Sequence, residues 1–257
     1  MPQTALVTGG SRGIGRGICL SLAEAGWSVA INYAGNKQAA EATQELCRQA
    51  ATRPGQEFLI LQADISVKAQ RDELVRSALA AFGQLDALVN NAGIAPRQRV
   101  DVLDMSEESL DEVMSVNLRG PLLLSQALAR HWVAGKASAG KSILFVSSVS
   151  ARMVSTARAE YCISKAGIAM VVQVLAARLA PEGVLVCELR PGIIKTDMTA
   201  GVVQKYDTLI EKGLVPQGRW GTPEDIGQAV AAMLGGSFRF STGSVIHIDG
   251  GLHIPML

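Results

Sequence analysis

Short runs of consecutive apolar and β-branched residues alternate along this chain with longer segments whose apolar positions recur at helical spacing. That alternation marks βαβ units arranged around a parallel sheet. Seven strands are predicted, at Ala5 to Thr8, Val29 to Asn32, Phe58 to Gln62, Ala87 to Asn90, Ile143 to Ser147, Val184 to Leu189 and Val245 to Ile248. Most runs are apolar at successive positions rather than at every second one, so both faces of the sheet are expected to lie beneath helices. The expected architecture is α/β: a single doubly wound domain over residues 1–257, built on a seven-stranded parallel sheet. Gly135 to Lys141 reads as a surface loop, and no repeat or interdomain linker interrupts the pattern.

Composition narrows the classes of function. A chain of 257 residues, 48% hydrophobic and 18% charged, can bury a full core without disulfides, metals or an obligatory partner. Its 24 basic residues against 23 acidic ones leave a net charge of +1, so no broad field favours nucleic acid or an anionic membrane. Cys19, Cys47, Cys162 and Cys187 show no C-x-x-C spacing, which speaks against a zinc knot, a redox pair or a disulfide framework. No metal ligand set is expected. The N-terminus runs directly into the first strand, and no apolar run is read as approaching the ~20 residues that cross a bilayer. These features predict a soluble protein of a reducing cytoplasm.

The first strand leads through Thr8-Gly9-Gly10-Ser11-Arg12-Gly13-Ile14-Gly15 into a helix. Glycines let the backbone approach a pyrophosphate, while the helix N-terminus offers free N–H groups and the positive end of its dipole. Position and composition point to a Rossmann-type dinucleotide site, although Gly-x3-Gly-x-Gly departs from the commoner G-x-G-x-x-G.

This motif is followed in order by Asn90-Asn91-Ala92-Gly93, Asn117, Ser148, Tyr161-x-x-x-Lys165 and Pro191-Gly192. The set resembles the short-chain dehydrogenase/reductase family along nearly the whole chain. The resemblance implies an NAD(P)(H)-dependent oxidoreductase that passes a hydride between nicotinamide and a carbonyl or secondary alcohol. It implies a catalytic set of Asn117, Ser148, Tyr161 and Lys165, with Asn117 helping to position a water near Lys165. Cofactor contacts are implied at Gly9, Ser11, Arg12, Gly13, Ile14, Gly15, Tyr33, Asp64, Asn90, Ala92, Gly93, Tyr161, Lys165, Pro191, Gly192, Ile194 and Thr196. Among these, Asp64 is placed against the adenine, and Ile194 and Thr196 beside the carboxamide.

The residue types make chemical sense by themselves. Tyr161 and Lys165 are four apart on a helix and share a face, so an ammonium can lie beside a phenol and favour phenolate. Lys165 and an oxidised nicotinamide are therefore expected to draw the Tyr161 pKa down from ~10 toward neutrality, making it a general acid or base. Ser148 ends the fifth strand, where doubly wound folds place their ligands, and can stabilise charge on a carbonyl oxygen. Ser147 should point the other way along the pleat. A serine hydrolase would need a histidine base, and His131, His247 and His253 lie in no nucleophile-elbow context. Pro121 lacks an N–H, which leaves the Asn117 carbonyl without its helical partner and predicts a kink there.

The second strand ends in Asn32-Tyr33-Ala34-Gly35-Asn36, with no acid to repel a 2′-phosphate, and Arg12 supplies a nearby cation; NADP(H) is therefore favoured over NAD(H). Residues 196–218 have the length and position of a mobile substrate lid. Thr8 to Gly15, Tyr161 to Gly167 and Asp249-Gly250-Gly251 give the chain its likeness to 3-oxoacyl-acyl-carrier-protein reductases within the family, implying an acyl-thioester substrate. The position expected to hold an arginine that docks the acidic carrier is Ala177, however, with Arg178 displaced by about 100° around the helix. A sugar, polyol or other small ketone fits as well, and a non-catalytic dinucleotide sensor is the reading from another class. The helices through Leu118 to Leu128 and Ala166 to Ala177 carry almost no charge, and in the family they pair across a homodimer that often doubles into a homotetramer.

Overall fold

The computed structural model describes residues 1–136 and 139–255. Ala137 and Ser138, inside the expected surface loop, lie outside the described residues, as do Met256 and Leu257. Seven strands form one sheet: β1 (Thr4–Val7), β2 (Ser28–Tyr33), β3 (Phe58–Gln62), β4 (Ala87–Asn90), β5 (Ser142–Val146), β6 (Leu185–Pro191) and β7 (Val245–Ile248). Their order is β3-β2-β1-β4-β5-β6-β7, and every pairing is parallel. The order reverses between β1 and β4, which opens a crevice at the C-terminal edge of the sheet.

Alternation along the strands sorts side chains into two cores. Ala5, Val7, Leu144 and Val146 enter the core shared with α1 (Gly13–Glu24), α2 (Lys37–Gln49) and, near the C-terminus, α8 (Pro223–Ala232). Leu6, Ile143 and Phe145 enter the opposite core, shared with α3 (Lys68–Phe82), α5 (Gly120–Ala134) and α6 (Ala159–Leu179). Continuous apolar strands are what this two-sided burial demands. The remaining helices are α4 (Glu107–Met114) and α7 (Val203–Glu211).

Two expectations need correction here. The segment Thr156–Glu182, containing α6, is long and apolar enough to cross a bilayer by length and composition, with a mean hydropathy of 1.5. It nevertheless packs on the sheet through Ile168, Val172, Ala176 and Leu179, and its hydropathy is high because Ile163, Met170 and Val174 make the outer side apolar too. The expected kink at Pro121 takes the form of a π turn at Ser115–Arg119, which joins α4 to α5 and contains Asn117. There the Gly120 N–H bonds the Ser115 carbonyl, five residues back instead of four. Widening one turn lets a helix accept the missing donor of Pro121, and such turns recur at functional sites.

Candidate active site

The β1 to α1 turn is shaped by its glycines. Gly9 has φ +63°, and a Cβ on Gly15 would lie 2.0 Å from the Gly9 carbonyl oxygen, so a side chain at residue 15 would push the turn open. No side chain caps the α1 N-terminus at Arg12, whereas α2 and α8 are capped by Asn36 and Thr222. An uncapped helix start beside a glycine turn leaves its N–H groups for an anion. These groups face a cleft of about 710 Å³ that runs from Tyr33, Ala34, Gly35 and Asn36 to Tyr161 and Lys165. The cleft and its uncapped helix end fit a dinucleotide with its phosphates at the turn.

Other walls of this cleft include Gly9, Ser11, Arg12, Gly13, Ile14, Gly15, Asp64, Ala92, Gly93 and Thr196, all expected from the sequence. Asp64 is held by the Ser66 N–H and hydroxyl, at 2.8 and 2.7 Å. Arg12 lies 3.7 Å from the Asp197 carboxylate, a loose and exposed pair across the cleft mouth.

Four expected contacts fall elsewhere. The Asn90 amide turns away from the cleft and donates to Ser125 on α5 at 2.9 Å, because the pleat sends successive residues to opposite faces. Its neighbour Asn91 takes the wall position and donates to the carbonyls of Thr8 and Gly9, at 2.9 and 3.1 Å. Pro191 and Gly192 lie off the cleft wall in the β6–β7 pairing, where the Gly192 N–H bonds the Ile248 carbonyl at 3.0 Å. Ile194 is buried in the core and borders a separate cavity.

At the inner end, α6 places Tyr161 and Lys165 one turn apart, with the Lys165 amine 5.6 Å from the centre of the phenol ring. That amine donates to the Val146 carbonyl at 3.1 Å. Ser148 lies within hydrogen-bonding reach of the phenol. Ser147 turns aside as expected and donates to Glu188, which is fully buried and bound by Arg190 at 2.6 Å. Asn117 is 1% exposed; its amide clamps both the N–H and the carbonyl of Ile94, at 2.8 and 2.9 Å, and donates to Ser164 at 3.1 Å. Gly93 separates Asn117 from Lys165, since a Cβ there would lie 3.3 Å from the Asn117 oxygen and 3.5 Å from the Lys165 nitrogen.

In the protein alone, the electrostatics run opposite to the shift expected of Tyr161 beside Lys165 and an oxidised nicotinamide. Burial raises the Tyr161 pKa above its ordinary value, outweighing the Ser148 hydrogen bond and the Arg158 charge that lower it. Burial also lowers Lys165 to about 8, against a smaller opposing effect of Glu188. The charge that opposes burial at the phenol comes from Arg158.

The sequence reading also passed over Asn32 and Thr8. Asn32 accepts from the Gly9 N–H at 3.3 Å and donates to the Leu61 and Ala63 carbonyls. The Thr8 hydroxyl accepts from the N–H groups of Asn91 and Ala92, both at 3.0 Å. A polar residue closing an otherwise apolar strand was the available signal for both.

With a glycine turn, a cleft and a Ser-Tyr-Lys cluster at the sheet's C-terminal edge, the chain belongs to the short-chain dehydrogenase/reductase family of oxidoreductases. Residues 9–253 match the family model described as enoyl-(acyl carrier protein) reductase. The chain is 34% identical over 255 residues to the 3-oxoacyl-[acyl-carrier-protein] reductase FabG of Staphylococcus epidermidis, covering 99% of this chain and all of that one. Among solved structures, a 3-oxoacyl-[acyl-carrier protein] reductase from Brucella melitensis in complex with NAD is 44% identical, with a TM-score of 0.92 over 100% of this chain and 99% of that one. A short-chain dehydrogenase/reductase from Serratia marcescens is 33% identical, with a TM-score of 0.88 over 98% of each chain.

Proposed function

We propose that this chain is a carbonyl reductase that uses NADPH in preference to NADH and acts on 3-oxoacyl thioesters. The observation that carries the reading is the placing of Tyr161, with Ser148 in hydrogen-bonding reach of it, and Lys165 at one end of a cleft whose other end is the uncapped glycine turn. A bound nicotinamide dinucleotide supplies the hydride in this scheme. Tyr161, kept protonated by burial, gives its proton to the carbonyl oxygen, and the Ser148 hydroxyl bonds the same oxygen as charge develops on it. Lys165 holds the nicotinamide ribose and the supply of protons behind Tyr161. Asn117 fixes Ile94 and, through its main-chain carbonyl in the π turn, holds a water that leads to Lys165.

Preference for the 2′-phosphate rests on Arg12 at the cleft wall and on the absence of an acid from Tyr33 to Asn36. The loose pair with Asp197 leaves Arg12 free to form a stronger, charge-assisted bond to phosphate. The NAD bound to the Brucella melitensis protein makes the nucleotide comparison the first thing to measure.

The names of the relatives support an acyl thioester. Against carrier docking at Arg178 stands its bond to Glu182 at 3.1 Å, which favours the second reading, a small ketone, sugar or polyol. Residues 196–218 serve as the lid in either case: Asp197 and Met198 reach the cleft, and Ile210 and Val215 anchor the segment. The exposed Ile163, Met170 and Val174 on α6 supply the dimer face, within one domain that works in the cytoplasm. A panel of 3-oxoacyl thioesters, sugars and small ketones, assayed with NADPH and NADH by loss of absorbance of the reduced cofactor, tests the proposal. The highest kcat/KM on a 3-oxoacyl thioester with NADPH is expected; a higher value on a free sugar, or with NADH, overturns the corresponding part.

A further inference from the structure

Beyond the cleft, a second cavity of about 380 Å³ opens beside β7, and His247, Asp249 and His253 stand together on its wall. The sequence pattern explains the grouping. His247 lies on β7, Asp249 follows the strand, and Gly250 and Gly251 take φ of +63° and +89°, turning the chain so that His253 stacks on His247 with ring centroids 3.8 Å apart. Asp249 is 2% exposed, and its orientation is set by the N–H groups of Gly251 and His253, both at 3.0 Å.

We propose that His247, Asp249 and His253 form a binding site for one zinc ion. His253 Nδ1 hydrogen-bonds an Asp249 oxygen at 2.7 Å, a bond that zinc would replace, His247 Nδ1 lies 3.7 Å from the same oxygen, and one ligand atom from each of the three residues falls within 4.8 Å of the others. Tetrahedral zinc with bonds of about 2.1 Å sets its ligand atoms about 3.4 Å apart, a value between those two distances. The rings are tilted by 21° and must open further for both lone pairs to meet one ion. His253, with a side chain 40% exposed, has room for that motion. His247 Nδ1 is buried and has no hydrogen-bond partner among the described residues, a deficit that a metal would satisfy.

Two imidazoles and a carboxylate suit zinc and leave a position open to water from the cavity. The surrounding charges balance: Arg190 is paired with Glu188 behind β7, and Arg219 with Asp225 at 2.7 Å on the cavity wall. Asp249 is thus the net charge that faces the ion. The ion would tie down the tail whose Leu252 packs with Ile210 and Val215 of the proposed lid.

The full chain, stripped with a chelator, is titrated with ZnCl2 by calorimetry and with CoCl2 by visible absorption, and melting is followed with and without zinc. One zinc per chain, a tetrahedral cobalt spectrum and a zinc-dependent rise in Tm are expected. His253→Ala and His247→Ala should each weaken zinc binding about 100-fold or more and abolish the Tm rise. Cys162→Ser, which removes the half-buried thiol, should change none of these. No saturable binding, binding unaffected by His253→Ala, or loss of binding in Cys162→Ser overturns the proposal.

Discussion

Replacing Lys165 by methionine tests the electrostatics of the site most directly. The lysine is 5% exposed, and burial brings its pKa from 10.5 to about 8, with Glu188 pulling weakly the other way. Below about pH 8 the folded and unfolded chains both hold this proton, and folding bears the whole cost of a buried cation. Between about 8 and 10.5 the unfolded chain holds more protons, so stability from this group rises with pH; above 10.5 both forms are neutral and the cost is gone. At about 1.36 kcal/mol per pH unit the difference is worth about 3 kcal/mol. The assay is urea unfolding of the wild type and Lys165→Met at equal protein concentration from pH 7 to 10.5. The wild type should gain about 3 kcal/mol relative to the variant across that window and nothing below it. Cys19 and Cys47, which burial shifts upward and which lie away from the substitution, act in the opposite sense but equally in both proteins, and cancel in the difference. The Val146 carbonyl loses its donor in the variant, which offsets the curves by about 1–3 kcal/mol without changing their divergence. Parallel curves would refute a depressed Lys165.

Three further outcomes are expected. Tyr161→Phe should lower kcat about 10²–10⁴-fold while cofactor Kd changes by only a few fold, measured by single-turnover absorbance and fluorescence titration, because one proton and little contact area are removed. Arg12→Ala should raise KM for NADPH far more than for NADH, and equal effects would rule out a contact to the 2′-phosphate. Pro121→Ala restores an N–H next to the π turn and should slow proton delivery, read as reduced kcat with an enlarged solvent isotope effect and an unchanged cofactor Kd; unaltered kcat would show that the wide turn is only structural.

The sheet was legible because burial on both faces leaves continuous apolar runs. Every strand is found within one or two residues of its expected ends, and β6 runs on to Pro191 because it pairs with β7 as far as Ile248. The Gly9 to Gly15 turn was equally readable, since its glycines answer a geometric need. Side-chain direction at strand ends was harder. Asn90 and Asn91 are adjacent and chemically identical, and only the pleat decides that one faces Ser125 and the other the glycine turn. The apolar length of α6 was passed over for a related reason: hydropathy sums both sides of a helix, and cannot tell an outer face formed by Ile163, Met170 and Val174 from one that meets lipid.

The ionisation of Tyr161 shows what a motif leaves out. Spacing correctly puts an amine beside the phenol, and in water that neighbour would lower the phenol's pKa. Burial acts on both groups at once, however, so the amine is lowered to about 8 while the phenol is raised. At pH 7 a lysine with a pKa of about 8 still holds its proton, so the pair rests as phenol beside ammonium, and above about pH 8 as phenol beside amine. Such a pair is set to donate a proton to a carbonyl and is poorly set to abstract one from an alcohol at neutral pH. The phenol is therefore in the protonation state that carbonyl reduction requires before any cofactor binds. A cationic oxidised nicotinamide, by favouring phenolate, would be the element that makes the reverse reaction accessible. On this argument alcohol oxidation should rise with pH well above 7 as the phenol ionises, while carbonyl reduction falls over the same range. Initial rates in both directions across that range, with saturating cofactor, would show it; parallel profiles would mean that Tyr161 is not the group being titrated.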